Sequence, residues 1–315
     1  MTPPKPDLDM DLLIIGAGPA GLTAALYGAR AGLTVYVFER GEIGGQVAMT
    51  DYVENYPGFP EPIEGPELME RMKEQATRFG AQIVYDEIER LERDEAHYLW
   101  AYGTDGTYRA KAVIIAVGSD PRKLGVPGEE EFTGRGVSYC AVCDGHFFKD
   151  QVVAVVGGGD SAKTEALYLT NLASKVYLIH RRDRFRGEKI LEDRVRQNPK
   201  IELVLNTVVE EILGDQQVRA LRVRNVQTQE VSEIPVSGVF IYIGHIPNTG
   251  FLKGFVELDE TGHIPTDSNM QTSVPGVFAA GDVRSGSLRQ ITTSVGDAAI
   301  AATRAGEYIE KVFGS

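Results

Sequence analysis

Two stretches of the chain carry uninterrupted apolar runs that end in glycine-rich turns. Leu12-Leu-Ile-Ile15 leads into Gly16-Ala-Gly-Pro-Ala-Gly21, and Val153-Ala-Val-Val156 leads into Gly157-Gly-Gly-Asp-Ser-Ala162, 141 residues further on. At the same offset Ala25, Leu26 and Tyr27 face Ala166, Leu167 and Tyr168, and Val35-Tyr-Val-Phe38 faces Val176-Tyr-Leu-Ile179 without a gap. Short apolar runs bounded by glycine predict strands buried on both faces. Each copy therefore reads as strand, turn, helix and strand, the βαβ unit of dinucleotide binding. Alternating segments that look like β-meander follow each copy, then apolar strands at Ala112–Val117 and Gly238–Ile243.

Those strands run into Gly118-Ser-Asp-Pro121 and Gly244-His-Ile-Pro247, two Gly/Pro punctuations that mark candidate hinges. Beyond the second, the chain returns to an apolar strand ending in Gly281-Asp282 and closes with an alanine-rich helix from about Thr293 to Lys311. A proline-rich loop, Pro57–Pro66, precedes another helix. The expected fold is α/β: two Rossmann-like, three-layer ββα dinucleotide-binding domains, one inserted into the other. The outer domain takes residues 1–121 and 246–315, and the inserted domain takes 122–245.

Length and composition agree with this division. A chain of 315 residues predicts about two domains at roughly 100–200 residues each. Apolar residues at 43% and charged residues at 24% describe an ordinary globular chain. The net charge of −13 argues against a nucleic-acid partner. The uncharged stretch Leu12–Ala29 holds Gly16, Gly18, Pro19, Gly21 and Gly28, which speaks against a membrane span. The opening Met1-Thr-Pro-Pro-Lys-Pro6 runs into Asp7, Asp9 and Asp11 rather than an apolar core, so a cytoplasmic location is expected.

The glycines have distinct jobs in nucleotide chemistry. The first makes the tight turn and the second lets backbone N–H groups reach a pyrophosphate. The third position must be small for helix–strand packing. Where the second strand ends, the copies diverge. Copy one ends at Glu39, whose carboxylate accepts from ribose hydroxyls and repels a 2′-phosphate. Copy two ends at His180-Arg181-Arg182, with Arg186 a turn further on, a cluster suited to a dianionic 2′-phosphate. A solvated basic loop is the plainer account of that cluster. In an acidic chain it is the weaker one, and copy two reads as an NADP site.

The chain has two cysteines, Cys140 and Cys143, followed by Asp144-Gly145. A C-x-x-C pair can close a small disulfide ring and stabilise one thiolate, and a neighbouring carboxylate can shuttle the proton. A zinc half-site and two inert buried thiols are the alternatives. Zinc wants four ligands and only His146 stands nearby, so no metal is expected.

With these motifs in order, the sequence resembles the low-molecular-weight, bacterial-type thioredoxin reductases along essentially its whole length. The resemblance rests on Gly16-x-Gly18-x-x-Gly21, Gly44-Gly45-Gln46, Cys140-Ala-Val-Cys143-Asp144-Gly145, Gly157-Gly-Gly-Asp-Ser-Ala162, His180-Arg181-Arg182-x-x-x-Arg186, Gly281-Asp282 and Arg289-Gln290. It implies an NADPH-dependent thioredoxin-disulfide reductase with FAD on the first copy and NADPH on the second, hence an NADPH domain inserted into an FAD domain. It also implies a homodimer, with thioredoxin as protein substrate. For FAD it implies Gly16, Gly18, Pro19 and Ala20 at the pyrophosphate, Glu39 with Arg40 at the ribose, and Gly44, Gly45 and Gln46 beside the flavin. Asn55, Gly118, Gly281, Asp282, Arg289, Gln290 and Ile291 complete that set. For NADPH it implies Gly157, Gly159, Asp160, Ser161, His180, Arg181, Arg182, Arg186 and Gly244. Cys143 would face the flavin, Cys140 would attack the partner disulfide, and Asp144 would handle the proton. Because the disulfide and the nicotinamide would share one lobe, that lobe is expected to rotate about the two hinges. Val142 and Val117 stand where threonine is commoner, and Thr164 where glutamate is frequent. Rival readings are a disulfide reductase for another partner, a slow flavin-based redox sensor, and a flavin–NADP reductase serving ferredoxin.

Overall fold

The computed structural model describes residues 5–50 and 52–314; Met1–Pro4, where the opening segment read above begins, lie outside the described residues, as do Asp51 and Ser315. The chain forms two compact units, one comprising the residues through Asp120 together with those from Ile246 onward, the other Pro121–His245.

The first unit is built on the strand Leu8–Ile15. It pairs in parallel with Val35–Glu39 on one side and Thr107–Ile115 on the other. Gln82–Tyr85 extends the sheet beyond Val35–Glu39, and Val277–Ala279 pairs in parallel with the end of Thr107–Ile115. Alternate side chains of the central strand serve opposite layers, as the pleat dictates. Leu12 and Ile14 face a helical layer with Leu22 and Ala25 of the helix Pro19–Arg30 and Ala298 and Ala301 of the terminal helix. Leu13 and Ile15 face the antiparallel strands Ile88–Arg93 and Leu99–Gly103, through Leu91 and Leu99. The order of layers is helix, parallel sheet, meander.

The second unit repeats this plan. Its five-stranded sheet runs Val137–Ser138, Gly238–Tyr242, Val152–Gly157, Lys175–Ile179 and Ile201–Val204, all pairs parallel. Val153 and Val155 pack on Ala162, Ala166 and Leu169 of the helix Asp160–Leu169. Ala154 and Val156 pack on Val209 and Leu221 of an antiparallel three-stranded sheet. Leu12 pairs with Val35 and Val153 with Val176, so the 141-residue offset is kept in the strand register.

Two segments differ from expectation. The terminal helix runs Ile291–Phe313, starting earlier because Gln290 and Thr293 form a reciprocal capping box. The proline-rich loop is shorter than Pro57–Pro66, since Ile63–Glu64 pairs with Tyr52–Val53 and a helix begins at Gly65. Pro66 sits in that helix's first turn, where a missing N–H costs nothing. The candidate hinge residues include a two-stranded sheet, Ser119–Pro121 with His245–Pro247, flanked by Gly118 and Gly244 at φ +63° and +119°.

Candidate functional site

The two glycine turns explain themselves by what a side chain would meet. At Gly16 a Cβ would lie 2.5 Å from the Ala116 carbonyl oxygen, and at Gly157 2.3 Å from that of Tyr242. At Gly21 it would lie 1.8 Å from the Gly16 carbonyl oxygen. Packing of strand on turn imposes these glycines. Gly18 and Gly159 are different, because a Cβ there would meet nothing within 4 Å and the backbone is extended. The protein gives no reason for glycine at either. Each caps the N-terminus of its helix, where free N–H groups and the helix dipole favour phosphate. Open space above the middle glycine of both turns fits a pyrophosphate lying on each.

Around the first turn the other expected FAD residues gather. Glu39 accepts hydrogen bonds from the Ala17 N–H (2.8 Å) and the Gly41 N–H (2.9 Å), which fix its carboxylate beside the turn. Arg40 points outward and pairs with Glu87. The Gly44 N–H donates to the Ala17 carbonyl at 2.9 Å, laying Gly44-Gly45-Gln46 against the turn, and Gln46 bonds Asp120. Asn55 donates from Nδ2 to Gln290 Oε1 at 3.0 Å, which ties two expected contacts together across 235 residues. Gly281 (φ +79°) lies against Ala20 and Ser294. Asp282 accepts from the hydroxyls of Ser287 and Ser294, and burial pushes its carboxyl above the ordinary range. Arg289 adopts φ +59°, unusual for a non-glycine residue, and its buried Nε has no hydrogen-bond partner among the described residues. An orphaned donor and a strained backbone immediately before the helix Ile291–Phe313 fit a group that supplies an acceptor there. The donor set suits the FAD that the sequence implied.

In the second unit, Gly157-Gly-Gly-Asp-Ser161 and the cysteine pair lie at the same carboxyl edge of the parallel sheet, the usual place for ligands in such sheets. His180 is buried, its ring against Gly158 and stacked with Phe185, and its Nε2 lies 3.1 Å from the Arg184 carbonyl oxygen. Burial, followed by the charges of Arg186, Arg181 and Arg182, holds its pKa below the ordinary imidazole value. His180 thus braces the loop from beneath, and the arginines stand on its exposed side. Arg181, Arg182 and Arg186 form no ion pair among the described residues, which leaves their charge available to a phosphate.

Cys140 and Cys143 form a disulfide across the short helix Ala141–Asp144. The Cys143 N–H donates to the Cys140 sulfur at 3.2 Å. Ser138, on the edge strand, accepts from the Cys140 N–H at 3.0 Å and donates to Asp144 Oδ2 at 2.5 Å. Tyr242 accepts the Ala141 N–H at 2.5 Å and so pins the start of that helix. Burial and then the nearby carboxylates of Glu165 and Asp144 push the Tyr242 phenol well up, keeping it neutral. Ser138 and Tyr242 escaped the sequence reading. Their link to the cysteines runs through the pairing of Ser138 with Phe240, which no local motif encodes. Among the described residues no group of three or more His, Cys, Asp or Glu could hold a metal ion.

A family model described as pyridine nucleotide-disulphide oxidoreductase matches residues 10–298. The thioredoxin reductase of Peptoclostridium litorale is 48% identical over 310 residues, covering 96% of this chain and 98% of its own length. That of Listeria innocua is 50% identical over 307 residues, covering 96% and 94%. Among solved structures, the thioredoxin reductase of Streptococcus pyogenes MGAS5005 matches with a TM-score of 0.90 at 50% identity, over 96% of this chain and 99% of that one. The chain belongs to the pyridine nucleotide-disulphide oxidoreductases and, within them, to the bacterial-type thioredoxin reductases. It is therefore an oxidoreductase, and the cofactors of this family are FAD and NADPH. No helix among the described residues is long and apolar enough to cross a membrane.

Proposed function

We propose that this chain reduces the disulfide of thioredoxin with electrons from NADPH, working as a cytoplasmic homodimer with no nucleic-acid partner. On this reading the outer domain, residues 1–121 and 246–315, holds FAD, and the inserted domain, 122–245, holds NADPH and the redox cysteines. FAD held there would accept a hydride from NADPH and return an electron pair to a disulfide. The single observation that carries the reading is the Cys140–Cys143 disulfide on the same sheet edge as a nucleotide turn flanked by arginines that form no ion pair among the described residues.

The residues around the cysteines fit one division of labour. Once the pair is reduced, the Cys143 N–H at the Cys140 sulfur stabilises negative charge on that sulfur. The Cys140 thiolate attacks one sulfur of the partner disulfide, forming a mixed disulfide and releasing the other partner sulfur as a thiolate. Asp144, held by Ser138, is placed to deliver the proton that this thiolate takes up. Cys143 then attacks the Cys140 sulfur, which re-forms the ring and frees the second partner thiol. Two electrons leave the cysteine pair, and the partner leaves as a dithiol. Val142 is exposed between the two cysteines, so its side chain meets solvent and not the core.

Anaerobic titration of the purified chain with NADPH tests the reading. Oxidised flavin absorbance should bleach only after uptake of twice the reducing equivalents that the Cys140→Ser variant takes up. The variant should lose thioredoxin reduction while keeping NADPH-dependent bleaching. A chain that cannot be loaded with flavin, or a variant with unchanged thioredoxin reduction, refutes it.

A further inference from the structure

The helix Asp160–Leu169 hides a lysine where its counterpart has an apolar side chain. Lys163 is 0% exposed, and the equivalent position of the first copy is Leu22, also buried. A buried ammonium is costly unless every donor finds a strong partner. Lys163 Nζ lies 2.8 Å from Asp160 Oδ1 and donates to the Glu188 carbonyl oxygen at 2.9 Å. The same Asp160 oxygen accepts the Glu188 N–H at 2.8 Å. The pair thus grips both the N–H and the C=O of residue 188. Gly187, at φ +87°, makes the approach possible, since a Cβ there would lie 2.2 Å from both Asp160 carboxylate oxygens.

Residue 188 ends the arginine loop. The Arg186 N–H donates to the Gly158 carbonyl at 2.8 Å, and the Asn206 N–H donates to the Arg182 carbonyl at 3.2 Å. Together with the His180 contact to Arg184, these ties clamp the backbone from 182 to 188 onto the nucleotide turn. Arg181, Arg182 and Arg186 project from a loop whose backbone is already ordered, which lowers the entropy that a phosphate must overcome on binding.

We propose that Lys163 is a positioning residue that clamps the arginine loop and thereby sets the preference for a 2′-phosphorylated coenzyme, without touching that coenzyme. The proposal rests on reading the second turn as the NADPH site. Adenosine 2′,5′-bisphosphate and 5′-AMP, titrated calorimetrically into the full chain, serve as probes that need no turnover. Lys163→Leu, the residue that the first copy carries, should weaken the bisphosphate by about ten-fold, as loss of a charge-assisted tie implies. Binding of 5′-AMP should hold. In turnover the NADPH KM should rise with kcat unchanged and the NADH KM unmoved. Gly187→Ala attacks the clamp from the solvent side without altering the core, and it should give the same signature even if the lysine variant folds poorly. Full retention of bisphosphate preference by both variants overturns the proposal, as does equal weakening of both probes. A parent chain that binds the two probes alike overturns the reading of the site itself.

Discussion

The two nucleotide turns share a backbone and differ in what stands beneath it. In the first, Glu39 ends the second strand and accepts the Ala17 N–H. In the second, the position equivalent to Glu39 is His180, and its ring lies against Gly158, the counterpart of Ala17. One site presents a carboxylate locked by backbone amides, with lone pairs left for ribose hydroxyls. The other presents a neutral imidazole that props a loop of cations. The first turn position is glycine in both copies, because the returning strand presses on Gly16 and Gly157 alike, while the third is Gly21 in one and Ala162 in the other. Packing preserves the turn, and the strand end is free to change ligand.

Substituting the middle glycines separates the two sites most sharply. Gly18→Ala and Gly159→Ala each add a methyl group where the protein has open space and unstrained backbone, so both variants should fold like the parent. Each methyl would intrude on the approaching pyrophosphate and cost its site about 100-fold in affinity. Gly18→Ala should be purified largely without flavin. Gly159→Ala should keep flavin and show a raised NADPH KM. Gly21→Ala is the contrast, since its Cβ would lie 1.8 Å from a backbone oxygen and the melting temperature itself should fall. Full flavin retention in Gly18→Ala would break the assignment of the first turn.

Removing cations from the second strand end should have a smaller effect. Arg182→Ala should raise the NADPH KM by roughly ten- to thirty-fold and leave the NADH KM unchanged, because only the 2′-phosphate loses a partner. Steady-state kinetics with both coenzymes measure the ratio. A parallel rise in both KM values would mean that the loop shapes the whole pocket and not the ribose corner.

The architecture was legible because its cause is local. Apolar runs, glycine turns and a fixed offset predict strands, and the pairs Leu12–Val35 and Val153–Val176 carry that offset into three dimensions. Ser138, Tyr242 and Lys163 were not legible. Ser138 matters because it bridges Asp144 and the Cys140 N–H. Tyr242 matters because parallel pairing brings it to Ala141 across 101 residues. Lys163 sits in a helix of mixed polarity, where a lysine reads as solvent-facing. Only the fold shows that its ammonium turns inward to residue 188. The signal was present in the repeat all along, since a lysine aligned with Leu22 is a polar residue at a core position.

Glu165 carries the same logic to its weakest effect. It aligns with Ala24, a fully buried core residue of the first copy, and so places a carboxyl where the fold expects a methyl group. Its Oε2 is buried without a hydrogen-bond partner among the described residues, and burial raises its pKa above the ordinary carboxylate value. The raised value means that folding binds a proton more tightly than the unfolded chain does. Its contribution to stability is therefore whole below the ordinary carboxylate pKa and is lost as pH rises through the raised one. Glutamine cannot ionise. Glu165→Gln should therefore melt like the parent near pH 4, where both are neutral. It should become progressively more stable than the parent as pH rises from there toward pH 8, because only the parent carries a carboxyl that burial resists ionising. Melts across that range decide the matter. A stability difference that is constant with pH would mean that Glu165 is solvated after all, and that the second copy accepts a carboxyl at this position without penalty.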